Sequence, residues 1–229
     1  MKDLSKLEKE IKVKFKDKNL ILKAVTHRSF LNENKGYDLD HNERLEFLGD
    51  AILELIVTEY LYKNYPNPEG ELTNWRASLV NRSSLAETAE NLQVMEFMQM
   101  SRGEAKDKNP KSRQYILANA LEAIIGAIYL DQGMEKTKIF IDENINKKLD
   151  NILKNKLYID PKSDFQEKAQ EKVGITPVYR VLKSSGPDHA KTFEVGVYLD
   201  KTLIAKGKGL SKQEAQTNAA KNALNKKKW

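Results

Sequence analysis

The stretch His41-Asn42-Glu43-Arg44-Leu45-Glu46-Phe47-Leu48-Gly49-Asp50-Ala51-Ile52-Leu53-Glu54-Leu55 governs the fold. Its apolar residues recur at three- and four-residue spacing, the period of an amphipathic helix. Glu43, Glu46 and Asp50 keep the same spacing and so project from one helix face. Leu45, Leu48, Ile52 and Leu55 fall on the opposite face and are expected to pack inward. Like charges so spaced destabilise a helix by roughly 0.2–0.5 kcal/mol per pair. Arg44 does not share their face, so a positive partner must come from elsewhere. Hard oxygen ligands in a chain without cysteine favour magnesium or manganese. For three spaced carboxylates alone, a solvated acidic face is the simpler account. Two residues weigh against it. Gly49 costs about 1 kcal/mol against alanine inside a helix, which a close approach by another element would explain. Phe47 borders the acidic face, where a polar residue would be ordinary, so a protein contact is expected there.

Outward from this helix, Glu43–Asn64, Trp75–Leu92 and Ile116–Asp131 all show helical periodicity. Turn-rich pieces at 65–70 and 106–110 separate them. Strand signals are nearly absent before residue 154, so a helical bundle is expected. The pattern then changes. A short polar connector, 154–161, ends in Asp160-Pro161. Ser163 opens a helix with Gln166 in the capping-box position, and the helix stops at Gly174. Three strand-like runs follow, Val178–Lys183, Thr192–Leu199 and Leu203–Lys208. A last helix opens at Ser211, with Glu214 three residues on and an apolar stripe of Ala215, Ala219, Ala220, Ala223 and Leu224. The expected organisation is mainly α: an all-helical domain over 1–153, a linker over 154–161 and a small α-β-β-β-α domain over 162–229.

Charge divides along the same line. Residues 154–229 carry 16 Lys+Arg against 8 Asp+Glu, whereas the preceding residues carry 23 against 25. A basic module joined to a slightly acidic one points to a polyanion held by one part and processed by the other. The absence of cysteine excludes a disulfide framework, a thiolate metal site and a cysteine nucleophile, and it fits a reducing compartment. No apolar run approaches a membrane span and the N-terminus has no signal-peptide core, so a cytoplasmic protein without membrane partners is expected.

Residues 42–55 resemble the signature of the ribonuclease III family. So do Thr26-His27-Arg28-Ser29-Phe30, Gly70-Glu71-Leu72-Thr73 leading into Arg76–Val80, and Ile116–Ala127 with its central Asn119-Ala120-Leu121-Glu122. The resemblance spans nearly the whole chain. It implies metal-dependent endonucleolytic cleavage of double-stranded RNA by a homodimer, giving 5′-phosphate and 3′-hydroxyl ends in the processing of ribosomal and other RNA precursors. By position it implies Glu46, Asp50, Asn119 and Glu122 at a magnesium site that manganese can also fill, with Asp50 and Glu122 catalytic. Glu43 and Glu69 would line the cleft, and Phe47 would contact the partner subunit. His27 and His41 are expected to be structural. The C-terminal segment resembles the double-stranded RNA-binding domain, on Asp164–Glu167, Gly186-Pro187-Asp188-His189 and Gly207-Lys208-Gly209 leading into Ser211–Ala215. That implies RNA contacts by Gln166, Glu167, His189, Lys212 and Gln213.

Two positions depart from the family pattern. Asn119 stands where an aspartate is usual. Its amide keeps a ligating oxygen but removes one negative charge, so metal affinity is expected to fall. An active natural variant, a weakened enzyme and a substitution that traps substrate all remain open, and the intact Glu46, Asp50 and Glu122 favour the first. Gln213 replaces a usual lysine, which weakens the phosphate clamp.

Overall fold

A computed structural model of the chain describes residues 3–187 and 191–229. The helical periodicity becomes α1 (Ser5–Glu10), α2 (Lys18–Ala24), α3 (Arg28–Glu33), α4 (Glu43–Asn64), α5 (Glu69–Val80), α6 (Arg82–Asn91), α7 (Arg102–Lys106), α8 (Pro110–Asn144) and α9 (Leu149–Lys154). The one long helix expected over Trp75–Leu92 is two. Asn81 leaves the helical region at ψ 155° and its side chain accepts from the Ser84 amide, capping α6. Helix α8 starts ahead of its apolar pattern, because Asn109 caps it before Pro110, and it is two helical segments in series, broken at Gly133, whose φ is 79° and ψ −178°.

Helices α4 and α8 form the most extensive packing in this part of the chain. Leu53, Ile56 and Val57 meet Leu121, Ile124, Ile125 and Ile128 in a fully buried layer, with the remaining helices closing around it. The two helices touch backbone to backbone at one point. A Cβ added at Gly49 would overlap the carbonyl oxygen of Glu122 and lie 2.9 Å from the Gly126 nitrogen, and one added at Gly126 would overlap the Leu45 carbonyl. This accounts for a glycine inside α4. The buried stripe runs through Leu45, Gly49, Ile52 and Ile56. Contrary to the sequence expectation, Leu55 is outside it and 57% exposed. The acidic residues therefore flank the stripe instead of standing opposite it, and Glu46 is half-buried.

The chain divides into two compact units between Tyr158 and Ile159. Tyr158, expected in the connector, packs edge-on to Trp75 with ring centroids 6.0 Å apart. The second unit comprises α10 (Pro161–Val173), β1 (Val178–Ser185), β2 (Thr192–Leu199), β3 (Thr202–Gly209) and α11 (Lys212–Lys227). Its antiparallel sheet has the order β1-β2-β3. Asp160, not Ser163, caps α10: its carboxylate accepts from the Ser163 amide, and Pro161 takes the first helical position. The helix stops at Gly174, whose φ is 67°. Phe165, Ala169, Val197, Leu199, Ile204 and the alanines of α11 make the core. Here too a glycine allows close approach, since a Cβ at Gly207 would overlap the Ala219 amide.

Gly49→Ala should therefore destabilise the first unit by about 1–3 kcal/mol or more, the range for forcing extra volume into a packed contact. Gly70→Ala, on a helix with nothing within 4 Å of the new Cβ, should be neutral or stabilising by about 0.4–1 kcal/mol. Urea denaturation of both variants checks this contrast; equal midpoints would remove the close crossing as a constraint.

Candidate active site

The Gly49 crossing sets the chemistry beside it. Glu46 and Asp50 bracket Gly49 on α4. Asn119 and Glu122 share a face of α8 by their three-residue spacing, and it is the Glu122 backbone that rests on Gly49. Burial pushes the Glu122 carboxyl up to about 7, with the Asp50 and Glu46 charges adding to the rise and Arg82 opposing it. Burial also raises Glu46, with Glu43 and Asp50 contributing, while a hydrogen bond with the Asn119 side chain pulls the other way. Asn119 and Glu46 line the same small cleft, and the amide supplies one hard oxygen beside the carboxylates.

Glu43 lies at the exposed start of α4, 3.5 Å from the Arg28 guanidinium and 3.8 Å from His41. It lines one cleft of about 230 Å³ with His27, Arg28, Glu46, Tyr115 and Asn119. His27 accepts from the Ser29 amide and caps α3, and His41 accepts from the Glu43 amide. Both histidines thus have the structural contacts expected of them. Glu69 is not brought to this cleft within one chain. It starts α5, accepts from the Thr73 hydroxyl at 2.9 Å, and lines a separate groove with Thr58, Tyr62 and Arg76. Phe47, one turn from both Glu43 and Asp50 on α4, is 81% exposed. Sequence reasoning missed Arg82 and Tyr115, whose guanidinium and ring stack at 3.4 Å. No motif pairs residues so far apart, so only the packing of α6 on α8 reveals them.

The donors fit a hard divalent cation: three carboxylates and an amide oxygen from adjacent turns of two helices, in Coulombic reach of each other. They are not a preformed cage. Among the described residues no group of three or more His, Asp or Glu is close enough to hold an ion as it stands. An ion would have to draw the acids together against the burial and mutual repulsion that now raise Glu122.

In the second unit, Gln166 and Glu167 are exposed on α10, on the side away from buried Phe165 and Ala169. Ser211 caps α11 by accepting from the Glu214 amide, and the Glu214 carboxylate accepts from Leu210. Asn218 and Asn222 donate to the Lys208 and Lys206 carbonyls, fixing α11 to β3. Lys212 and Gln213 are thereby presented to solvent at the positive end of α11. His189 lies outside the described residues.

Glu122 titrates near neutrality only in the folded protein, because its folded value is above that of a free carboxyl. The stability this contributes is present at low pH and is lost as pH rises towards about 7. Metal-free protein should melt at lower temperature at about pH 7.5 than at about pH 5.5, and Glu122→Gln should flatten the difference. Magnesium should bind more tightly across the same rise, with proton release, since its ligands must be ionised. Differential scanning fluorimetry and titration calorimetry at several pH values test this, and a magnesium affinity that falls with pH would contradict it.

Comparison with known proteins finds matches in both units. A family model described as Ribonuclease-III-like matches residues 17–149, and one for the double-stranded RNA binding motif matches 161–227. Ribonuclease 3 of Campylobacter jejuni strain RM1221 is 44% identical over 227 residues, covering 99% of this chain and 98% of the relative. Ribonuclease 3 of Desulforamulus reducens is 43% identical over 221 residues, covering 96% and 89%. The solved nuclease domain of Campylobacter jejuni ribonuclease III, described with a flexible region involved in dimer formation, is 44% identical with a TM-score of 0.56. It is matched over 97% of its length and 63% of this chain. By its two matched regions and its identity to these relatives over almost their full length, the chain belongs to the ribonuclease III family.

Proposed function

We propose that this chain, a double-stranded-RNA-specific endoribonuclease by family, cuts its duplex at the two-helix carboxylate site, as a homodimer with one site per subunit. The observation that carries this reading is the convergence of Glu46 and Asp50 with Glu122 across the Gly49 crossing, in a chain that also holds a double-stranded RNA binding motif. Glu46, Asp50, Glu122 and the Asn119 oxygen would hold magnesium, or manganese in its place. When bound, the metal supplies Lewis acidity at the scissile phosphate and a more acidic attacking water. The chain's own residues arrange the rest. Asp50 and Glu122 orient the water in line with the departing 3′-oxygen, so the products carry 5′-phosphate and 3′-hydroxyl ends. Asn119 steadies Glu46 by its hydrogen bond and keeps its oxygen for the ion, which makes this an active variant.

The second unit would hold the duplex through Gln166, Glu167 and His189 at the minor groove, and through Lys212 with Gln213 at phosphates. A-form RNA buries its base edges in a deep, narrow groove, so recognition by sugar and phosphate suits substrates of many sequences. Ribosomal and other structured precursors in the cytoplasm fit that tolerance. Dimerisation is supported by an apolar stripe that α4 leaves uncovered: Phe47 is 81%, Leu55 57% and Tyr62 79% exposed. Pairing this stripe with a second copy is also the route by which Glu69 could reach a cleft, that of the partner.

Cleavage of a long duplex in magnesium, with binding followed by gel shift, tests the site. Glu122→Gln should cut at least about a hundredfold more slowly yet bind normally. Asn119→Asp should change the rate by less than about tenfold; a gain of several orders of magnitude would show that Asn119 disables the site. On a sizing column Phe47→Glu should elute as a monomer, since a charge in an apolar interface is strongly penalised. An unchanged dimer would remove Phe47 from the interface.

A further inference from the structure

Arg82 occupies the first position of α6, where a cation opposes the positive end of the helix dipole. It is exposed, and among the described residues it has no ion pair. What holds it is the Tyr115 ring on α8, 3.4 Å from the guanidinium carbon. Tyr115 lines the acidic cleft with Glu43, Glu46 and Asn119. Arg28, on the same wall, is engaged with Glu43 at 3.5 Å, and Arg76 with Glu54 at 3.1 Å. Arg82 is different: a planar cation held on the ring of a cleft-lining tyrosine, without an ion pair, whose charge is felt by Glu122.

We propose that Arg82, held by Tyr115, is a phosphate-binding residue that grips the RNA backbone at the edge of the cleavage site. An arginine placed at a helix start for stability alone would be a poor choice, and its effect on Glu122 is exerted without an ion pair, which leaves its donors for another anion. Stacking covers one face of the guanidinium and leaves the in-plane N–H fork free, the geometry that takes two phosphate oxygens. It also restricts the side chain before RNA arrives, so less freedom is lost on binding. In a site where Asn119 has replaced one carboxylate, a phosphate approaching Arg82 meets less opposing negative charge. The assignment rests on the carboxylate site being where the duplex is cut.

The test uses the full chain. Arg82→Ala, Arg82→Lys and Tyr115→Leu are compared with wild type in single-turnover cleavage at several magnesium concentrations. Duplex affinity is measured against salt in the Glu122→Gln background. Arg82→Ala should lower kcat/KM by roughly 10–100-fold, the loss expected for a charge-assisted hydrogen bond. It should also reduce the log–log salt slope of binding by about one. Arg82→Lys should restore the slope but not the full rate, and Tyr115→Leu should resemble Arg82→Ala, with circular dichroism melts confirming that each variant is folded. A wild-type slope and rate in Arg82→Ala would overturn the proposal. So would an effect confined to the magnesium concentration needed, which would make Arg82 a partner of Glu122 only. Failure of the wild type to cut duplex RNA would instead overturn the parent reading.

Discussion

The contact of α4 with α8 through Gly49 and Gly126 is the constraint on which the site depends. Helix axes ordinarily stay 8–10 Å apart because side chains keep them there. Glycines on both partners remove that spacer at one level. Because Coulomb interaction weakens with distance, Glu46 and Asp50 would act on Glu122 more weakly across a wider helix interface. Here their charges contribute directly to the raised Glu122 value. The aliphatic layer of Leu53, Ile56, Leu121 and Ile125 holds the crossing in place from the buried side. The core thus stabilises an arrangement of acids that would not assemble alone.

That arrangement is electrostatically unfinished. Glu122 and Glu46 are both raised, and Arg82 is the cation that acts on Glu122. Folding stability is reduced where the acids are ionised together, and a divalent cation is the simplest remedy. Asn119 moderates the same repulsion, since an amide can donate to Glu46 where a second carboxylate could not.

Much of this was legible in the residues, and the limits have physical causes. The periodicity of 43–64 marks α4, and Ser211 with Glu214 marks the start of α11, because both are local patterns with local energetics. The same logic misplaced the start of α10, where Ser163 and Asp160 both offer a capping oxygen; Pro161 favours the earlier one. Leu55 was misassigned because a helix wheel does not say which of two apolar flanks meets the core. Gly49 signalled a close approach, but only the fold supplies Glu122 as what approaches. Glu69 was expected in the cleft by resemblance, and one chain does not place it there. The stack of Arg82 on Tyr115 joins residues from two helices and leaves no sequence signature at all.

The division into two units follows from what each must recognise. A site of crowded carboxylates repels a polyanion, so it cannot also be the main source of affinity for RNA. The basic second unit, with 16 Lys+Arg against 8 Asp+Glu from residue 154 onward, offsets that repulsion by raising the local concentration of duplex. Recognition of A-form RNA through sugar and phosphate is largely indifferent to sequence. The acidic cluster has no such latitude: each of its few oxygens must be where the two glycines put it.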